Sequence, residues 1–408
     1  MEGCGYGEFS LGLHQRLLGR RIPLDGTIEL TYRCPLQCSF CYNRVPTVDA
    51  AAQRQELSFE EHRRILDEIA GAGCLWLLYT GGEVFAREDF LDIYTYAQQK
   101  GLLVSIFTNG TLITPEAADH LAKWVPFSIE VTLYGVTRKT YERITGVPGS
   151  FESCLRGIHL LKERNLPLKL KTMAVSPNKH EIWEMKRFVQ QDLGLEFRFD
   201  GTINPGIDRS QRPLDFRLSP EQIVELDVLD PARIQAWEDF VRRFNGPVHT
   251  AGCDEMYHCG GGINSFSINP HGKLSLCVLS QADTYDLRKG TFSDGWNNFL
   301  LNVRRRKMRK MTKCVECGIK AMCGMCPANG ELEQGDPESP VDFLCRVAHL
   351  RSYVLDMPVL PHGECAYCQG GERYEDMRSA AAFLKSKARR STDNNSEDTE
   401  ILTVCGAS

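Results

Sequence analysis

The chain has 408 residues, which at about one domain per 150 residues indicates two or three domains. Its 48 basic and 53 acidic residues give a formal net charge of −5, so no basic surplus points to nucleic acid or an anionic membrane. No apolar run reaches the ~20 residues that span a bilayer, and the polar N-terminal residues do not fit a signal peptide. These features predict a soluble, cytoplasmic protein that binds neither nucleic acid nor membrane.

Cysteine is the unusual component of the sequence. The 17 cysteines are roughly 4% of the chain, below the ~8–10% of a small disulfide scaffold, and their odd number excludes complete pairing. In a reducing compartment, clustered cysteines are typical of metal ligands or catalysts. The composition therefore predicts an intracellular metalloprotein.

Short apolar runs alternate with helical patterns over the first half of the chain. Six runs predict strands, at 27–32, 75–79, 103–107, 127–133, 168–173 and 195–199. A capping-box pattern opens one helix at 58–61, and four further helices are predicted at 88–100, 115–123, 151–164 and 179–193. Strand–helix units in series imply parallel strands. Since eight units close a full barrel, six predict an α/β fold with an open, partial (β/α)6 barrel of the TIM type.

Several predicted strands carry polar residues on one face. Glu130 and Thr132 alternate with apolar residues along one strand, and Lys169 and Lys171 lie on one face of the next. Arg198 lies on the polar face of the last predicted strand. Helices must cover the apolar faces, so the polar faces point inward. A filled barrel would carry branched aliphatic side chains there. The pattern therefore predicts a lumen that holds a polar ligand.

The second half of the chain changes character. Beyond Pro247 the periodicity fades, and cysteine, glycine and turn residues dominate through Cys345. From about Gly370 the chain becomes charged and polar, which is typical of a mobile tail. We therefore divide the chain into an N-terminal segment (1–25), a partial barrel (26–245), a loop-rich cysteine domain (246–350) and a C-terminal extension with a mobile tail (351–408).

Three cysteines, Cys34, Cys38 and Cys41, directly follow the first predicted strand. Three thiolates do not complete a four-ligand structural zinc site, but they can hold three irons of a 4Fe–4S cluster and leave the fourth iron open. Taken alone, the spacing also fits a zinc or redox site. The loop lies at the C-terminal mouth of the barrel, where parallel barrels keep their active sites, and this favours the cluster.

This C-x3-C-x2-C arrangement resembles the radical S-adenosylmethionine (SAM) superfamily, and the resemblance runs from about Thr27 to Asp200. It implies that the amino and carboxylate groups of SAM chelate the open iron. It further implies that the reduced cluster cleaves SAM to methionine and a 5′-deoxyadenosyl radical, which abstracts hydrogen from a substrate.

The resemblance extends to residues that contact SAM. Phe40, before the last cysteine of the loop, matches the position that contacts adenine. Gly81, Gly82 and Glu83 match the family's GGE-P motif, which implies binding of the SAM amino group, although Val84 stands where the family has proline. Glycines let the backbone approach a ligand closely, and a carboxylate accepts from an ammonium group.

Four softer candidates complete the predicted SAM site. Asn109 lies in a loop that resembles another recurrent SAM-side loop of the family. Thr132, Lys171 and Arg198 are predicted to face the lumen, where they would bind the ribose or the methionine carboxylate of SAM. Pairing of the two cations with Glu130 and Glu196 is the alternative. No catalytic acid or base is assigned.

Eight further cysteines form a second cluster, at Cys253, Cys259, Cys277, Cys314, Cys317, Cys323, Cys326 and Cys345. Eight thiolates equal two complete four-thiolate sites, and the spacing alone fits two zinc ribbons equally well. Together with the SAM motif, the region resembles the SPASM extension of radical SAM peptide maturases, which carries two auxiliary 4Fe–4S clusters. The resemblance implies an inner cluster on Cys253, Cys259, Cys277 and Cys326, and an outer cluster on Cys314, Cys317, Cys323 and Cys345.

The leading hypothesis is a radical SAM enzyme that modifies a peptide or protein side chain after translation. Val278 stands where sulfatase-maturing members have an aspartate base, which disfavours formylglycine formation. The 26 residues before the first strand are too few for a winged-helix leader-binding domain, so a peptide substrate would need a separate leader-binding protein or direct recognition by the enzyme. A flavodoxin- or ferredoxin-type electron donor is also expected. The alternatives are a small-molecule radical SAM oxidoreductase or epimerase, and a zinc-stapled binding module without catalysis.

The remaining cysteines and histidines receive no essential role. Cys365 and Cys368 have no partner cysteines at matching spacing, so a surface dithiol and a ligand pair both stay open. Cys74 and Cys154 are expected in the core. His258 is predicted to lie beside a cluster without ligating it.

Overall fold

The computed structural model describes residues 6–17, 19–43, 45–244 and 255–401. The chain forms two compact units: unit 1 comprises 1–216 and 257–306, and unit 2 comprises 217–256 and 307–408. The segment 257–306 therefore belongs to the same unit as the predicted barrel, which the sequence-based boundaries do not express. The division into functional domains stays a prediction.

The strands are β1 (Asp25–Thr31), β2 (Arg33–Cys34), β3 (Val45–Pro46), β4 (Trp76–Gly81), β5 (Leu103–Thr108), β6 (Ser128–Thr132), β7 (Leu168–Met173), β8 (Glu196–Asp200), β9 (Ser265–Ile268), β10 (Lys273–Ser275) and β11 (Tyr285–Asp286). The helices are α1 (Tyr6–Arg16), α2 (Ala50–Gln55), α3 (Phe59–Gly71), α4 (Phe90–Gln99), α5 (Pro115–Lys123), α6 (Arg138–Thr145), α7 (Ser150–Glu163), α8 (Ile182–Arg187), α9 (Pro220–Val228), α10 (Pro231–Phe244), α11 (Phe292–Asp294), α12 (Leu301–Arg304), α13 (Pro327–Gln334), α14 (Asp342–Val354) and α15 (Tyr374–Ile401).

Unit 1 is built on one nine-stranded sheet, in the order β11-β10-β9-β1-β4-β5-β6-β7-β8. The six strands from β1 to β8 in this order pair in parallel, as the alternation of strands and helices predicts. Their carboxyl ends therefore meet at one edge of the sheet. This α/β architecture with an open parallel sheet confirms the predicted fold class.

Three strands from the cysteine-rich half extend the sheet beyond the prediction. β9 pairs in parallel with β1, from Asp25 opposite Ser265 to Ile28 opposite Ile268, and β10 and β11 follow in antiparallel pairing. Gly26 makes this approach possible, because a Cβ there would lie 2.6 Å from the Phe266 ring. Because β9 runs parallel to β1, the turn that follows β9 is brought to the carboxyl edge of the barrel strands.

Local capping chemistry sets the helix starts. Ser58 and Glu61 form the predicted capping box of α3: the Ser58 hydroxyl accepts from the Glu61 N–H at 3.2 Å, and the Glu61 carboxylate accepts from the Ser58 N–H at 2.7 Å. Helix α6, which the pattern did not predict, starts at the Thr137 cap and ends at Gly146 with a left-handed φ of +67°.

Unit 2 contains α9, α10 and α13 to α15. Within the stretch from Gly370 that the sequence predicts as a mobile tail, α15 forms and packs on α9 and α14, whereas residues 402–408 lie outside the described residues. Met377, Ala381 and Leu384 are spaced by four and three residues, lie on one face of α15 and are buried. Its polar composition hides this single apolar stripe.

Within the part of the chain that the structure describes, no helix combines the length and apolar character needed to cross a membrane.

Candidate active site

A cavity of about 400 Å³ opens at the carboxyl edge of the parallel strands in unit 1. Ten of the residues that line it come from the predicted site and its loops: Cys34, Cys38, Phe40, Cys41, Gly81, Gly82, Asn109, Thr132, Lys171 and Val278. The structure thus brings the three cysteines together with Phe40 of the same loop and with six residues from five other segments of the chain. A cavity of this volume holds a ligand of small-molecule size.

The cysteine loop rests on a buried ion pair. Arg33 donates through Nε to Oε1 of Glu56 at 2.8 Å and through Nη2 to Oε2 at 3.1 Å, and Thr31 donates to the same carboxylate. Two backbone N–H groups of the loop also donate to the carbonyls that end α6, at 2.7 and 3.1 Å. These contacts hold the three thiols at one rim. Burial raises the pKa of the Cys34 thiol, and ligation of a metal would reverse that by stabilising the thiolate.

The two glycines after β4 pack against the end of β1. Gly81 has a φ of +133°, and a Cβ there would lie 2.2 Å from the carbonyl oxygen of Thr31. A Cβ on Gly82 would lie 2.5 Å from the carbonyl oxygen of Arg33. The Gly82 and Glu83 N–H groups donate to these two carbonyls at 2.6 and 3.0 Å. Glycine is therefore required here by close backbone packing as well as by access to a ligand.

Glu83 is placed differently from the expectation that its carboxylate faces a ligand ammonium. Its side chain is fully buried and does not line the cavity. Oε1 accepts from Thr108 Oγ1 at 2.7 Å and from the Phe85 N–H at 3.2 Å, while Oε2 accepts from the Asn109 N–H at 2.7 Å. Glu83 therefore ties the glycine turn to the loop that carries Asn109, whose side chain donates to Cys34 Sγ at 3.5 Å.

Replacing Glu83 by glutamine is expected to destabilise the fold by about 1–3 kcal/mol, because the new NH2 group would meet a backbone N–H and leave it unpaired. SAM affinity should fall as Asn109 moves. Chemical unfolding and calorimetric SAM titration measure the two effects. An unchanged free energy of unfolding together with weakened SAM binding would instead show that the charge itself faces the ligand.

Of the three residues predicted to face the lumen, two line the cavity and one does not. Thr132 and Lys171, opposite each other in the β6–β7 register, both line the cavity. Lys171 Nζ lies 3.1 Å from Glu130 Oε2 and over the Phe107 ring. Arg198 does not line the cavity; its side chain is largely exposed and pairs with Glu196, as the alternative interpretation expects. Lys171 is the lysine of this cavity wall that can meet a carboxylate.

The pKa of Lys171 gives a pH test. Burial lowers it to about 8, with Arg198 acting in the same direction and Glu130 opposing. Because only the charged amine attracts a carboxylate, SAM affinity is expected to hold below pH 8 and to fall by up to tenfold per pH unit above it. The Lys171→Arg variant stays charged and serves as the control. Equal pH dependence of Kd in the two proteins would contradict the role of Lys171.

Sequence reasoning missed other residues of this wall. Tyr134 lines the cavity, packs edge-to-face on Phe40 at 5.5 Å between ring centroids and hydrogen-bonds Cys38. Its place on the polar side of β6 was the available signal. Glu29, buried on β1, does not line the cavity itself but accepts from two residues that do, Tyr42 at 3.0 Å and Asn43 at 3.1 Å, and burial raises its pKa to about 7.

The second set of cysteines divides between the units. Cys314, Cys317, Cys323 and Cys345 line one small cavity in unit 2, where the hydrogen bond from Cys323 lowers the pKa of Cys345 to about 7. Cys259 and Cys277 belong to unit 1 and Cys326 to unit 2. Cys253 lies outside the described residues, as do Cys4 and Cys405. The ligand assignment of the inner cluster stays a prediction.

Comparison with known proteins identifies the family. The model of the Radical SAM superfamily matches residues 28–189. A PqqA peptide cyclase of Rhodopseudomonas palustris is 31% identical over 346 residues, which cover 82% of this chain and 89% of that protein. This chain belongs to the radical SAM superfamily. An AdoMet-dependent heme synthase of Methanosarcina barkeri is 26% identical, over 76% of this chain and 92% of that protein.

The fold agrees with the family. The crystal structure of Streptococcus suis SuiB bound to its precursor peptide SuiA superimposes with a TM-score of 0.61 at 17% identity, covering 85% of this chain and 82% of that one. The radical SAM protein described here is therefore an enzyme that uses a 4Fe–4S cluster and SAM. Its residues fit the cluster and SAM, because the three loop cysteines and the glycine turn at Gly81 and Gly82 line the same cavity.

Proposed function

We propose that this radical SAM enzyme abstracts hydrogen from a side chain of a ribosomally made peptide or protein. The observation that carries the proposal is the match along 89% of a PqqA peptide cyclase, which extends well past the SAM-binding half. When bound, the cluster and SAM supply a 5′-deoxyadenosyl radical. A flavodoxin- or ferredoxin-type donor and a separate leader-binding protein are the partners we expect.

The chain's own residues would prepare the site for that chemistry. Cys34, Cys38 and Cys41 would hold the cluster, Phe40 would pack against the adenine, and Lys171 would bind the methionine carboxylate. The backbone at Gly81 and Gly82 would accept from the amino group. The apolar side chains of the cavity wall would keep water away from the radical and so limit its side reactions.

A second cavity gives the substrate a place to enter. It measures about 420 Å³ and shares Cys41, Tyr42 and Asn43 with the SAM cavity. Asp208 and Arg212, both exposed, stand at its other side. A peptide segment in this second cavity would lie one residue layer from the SAM cavity. Val278 lines the SAM cavity without a titratable group, which argues against a reaction that needs a base there.

The outer cysteines of unit 2 would hold an auxiliary cluster that accepts the surplus electron of the substrate radical. Cys314, Cys317, Cys323 and Cys345 share one cavity and so fit a four-thiolate cluster. The ligands of a second auxiliary cluster stay as the sequence analysis predicts them. Complete ligation leaves no open iron, which suits electron transfer.

Removing the outer cluster is expected to uncouple two steps. A Cys317→Ala variant should still form 5′-deoxyadenosine, since SAM cleavage needs only the barrel cysteines, but it should stop releasing modified substrate. Circular dichroism and iron content must show that the variant stays folded, because ligation also stabilises a loop-rich region. A folded variant that lacks the outer cluster and forms product at the normal rate would eliminate the relay.

A second candidate substrate is an iron tetrapyrrole. The match along 92% of an AdoMet-dependent heme synthase favours it, although the eight cysteines beyond the barrel exceed the needs of one auxiliary site. The two substrate classes differ in a direct assay. The anaerobically reconstituted enzyme is given SAM, reductant and either a synthetic peptide encoded beside its gene or an iron coproporphyrin.

Peptide-dependent stimulation of 5′-deoxyadenosine formation, with a hydrogen loss in the peptide mass, would support peptide modification. Stimulation by the iron coproporphyrin alone would overturn it in favour of the tetrapyrrole.

A further inference from the structure

A buried cluster in unit 2 combines two cysteines and two histidines that the active-site account does not use. His349 lies on α14, and His362, Cys365 and Cys368 follow it in the connection to α15. One ligand atom from each of the four residues lies within 4.8 Å of the other three. All four side chains are buried, with at most 6% exposed. Such a set of thiol and imidazole groups rarely lacks a metal ion.

The distances fit one tetrahedral ion. His349 Nε2 lies 3.4 Å from Cys365 Sγ and 3.5 Å from Cys368 Sγ, and His362 Nδ1 lies 3.4 Å from Cys368 Sγ. With Zn–S bonds of ~2.3 Å and Zn–N bonds of ~2.0–2.1 Å, sulfur and nitrogen ligands of a tetrahedral zinc lie ~3.5–3.6 Å apart. These three nitrogen–sulfur distances therefore agree with a zinc coordination shell to within a few tenths of an ångström, and all four ligand atoms lie within 4.8 Å of one another.

The surroundings orient both imidazoles. His349 Nδ1 lies 2.7 Å from the carbonyl oxygen of Cys345, one helical turn earlier, so its proton goes there and Nε2 keeps a lone pair for a metal. His362 also contacts Cys317. Its Nδ1 atom lies 2.9 Å from the Leu360 carbonyl oxygen, so an ion bound at Nδ1 would replace the proton shared with that carbonyl.

Both sulfurs lie close to imidazole nitrogens: Cys365 Sγ is 3.4 Å from His349 Nε2, and Cys368 Sγ is 3.4 Å from His362 Nδ1. Two thiolates and two neutral imidazoles around a divalent cation form a neutral unit, which can be buried without an unpaired charge.

An iron–sulfur centre fits the same residues less well. In a centre with two cysteines and two histidines, the sulfur pair and the nitrogen pair bind different irons. Here each short contact joins a nitrogen to a sulfur, so the two pairs interleave around one point. Closed four-ligand sites of nitrogen and sulfur are typical of structural zinc.

We infer that His349, His362, Cys365 and Cys368 bind one structural zinc ion of their own, next to the outer cysteine set, whose cavity the two histidines also line. This ion would fasten the segment after α14 to the helix that carries Cys345. The assignment does not depend on the identity of the substrate. It gives Cys365 and Cys368, which have no partner cysteines at matching spacing in the sequence, two histidines as partner ligands.

Metal analysis of the full, anaerobically purified enzyme tests the inference. We expect about one zinc per chain in addition to iron, and X-ray absorption at the zinc edge showing two sulfurs at ~2.3 Å and two nitrogens at ~2.0–2.1 Å. The Cys365→Ala/Cys368→Ala variant should contain about tenfold less zinc per chain than the wild type and the same amount of iron. The Cys74→Ala/Cys154→Ala variant, which removes two other buried cysteines, should keep both metals.

Three results would overturn the inference. One is wild-type enzyme, supplied with zinc during expression, that contains iron but no zinc. Another is a zinc shell of four sulfurs, which would place the ion among the other cysteines. The third is loss of iron instead of zinc in the Cys365→Ala/Cys368→Ala variant. The absorption measurement needs only the wild-type chain, so a variant that fails to fold does not leave the question open.

Discussion

Replacing Cys34, Cys38 and Cys41 together by alanine is expected to remove about four irons per chain and to abolish reductive cleavage of SAM. The reason is geometric, because these are the three thiols that line the cavity beside the glycine turn. Iron content and 5′-deoxyadenosine formation are measured after anaerobic reconstitution. The auxiliary iron should remain, since no cysteine of the second set is altered.

The matched control for this variant is Cys74→Ala/Cys154→Ala, which removes buried thiols that do not line the cavity. It should retain all iron and normal cleavage. If the triple variant still formed 5′-deoxyadenosine at the normal rate, the assignment of the loop cysteines would be refuted.

Replacing Gly81 by alanine is expected to have the second large effect, a loss of about 2–5 kcal/mol of stability with at least tenfold weaker SAM binding. The new Cβ would lie 2.2 Å from the Thr31 carbonyl oxygen, and the residue has a φ of +133°. The turn must therefore move away from β1 and take the cavity wall with it. Chemical unfolding and calorimetric SAM titration measure both losses.

Gly101→Ala provides the control for backbone strain alone. Gly101 has a φ of +82°, but nothing lies within 4 Å of an added Cβ. This variant should lose about 1–2 kcal/mol and bind SAM normally. Equal effects of the two substitutions on SAM affinity would show that the glycine turn does not shape the site.

Local chemistry made much of the barrel predictable. The predicted strand 168–173 coincides with β7, and the predicted helix 115–123 coincides with α5, which starts at proline directly after the Thr114 cap. Alternating apolar residues also place Thr132 and Lys171 correctly on the cavity side. Signals of this kind lie within a few residues of one another, so they can be read without knowing the fold.

Long-range packing was not predictable in the same way. The three residues of β10 and four of β9 have too little pattern to reveal that they extend the sheet beside β1. The direction of the Glu83 carboxylate depends on donors at Phe85, Thr108 and Asn109, of which two follow a different strand. A motif places such a residue in the chain but does not say which way its side chain turns.

The zinc cluster shows both sides of this limit. The spacing of His362, Cys365 and Cys368, H-x2-C-x2-C, was a usable local signal for three ligands. His349, the fourth, is brought in by the return of the chain after α14, which the sequence does not announce.

Isotope transfer tests the central proposal most directly. The enzyme is supplied with SAM, reductant and a fully deuterated synthetic candidate peptide, and the 5′-deoxyadenosine is analysed by mass spectrometry. Hydrogen abstraction from the peptide predicts deuterium in the 5′-deoxyadenosine, together with a modified peptide of lower deuterium content. Unlabelled 5′-deoxyadenosine and an unchanged peptide, under conditions where the same enzyme converts an iron coproporphyrin, would contradict the proposal.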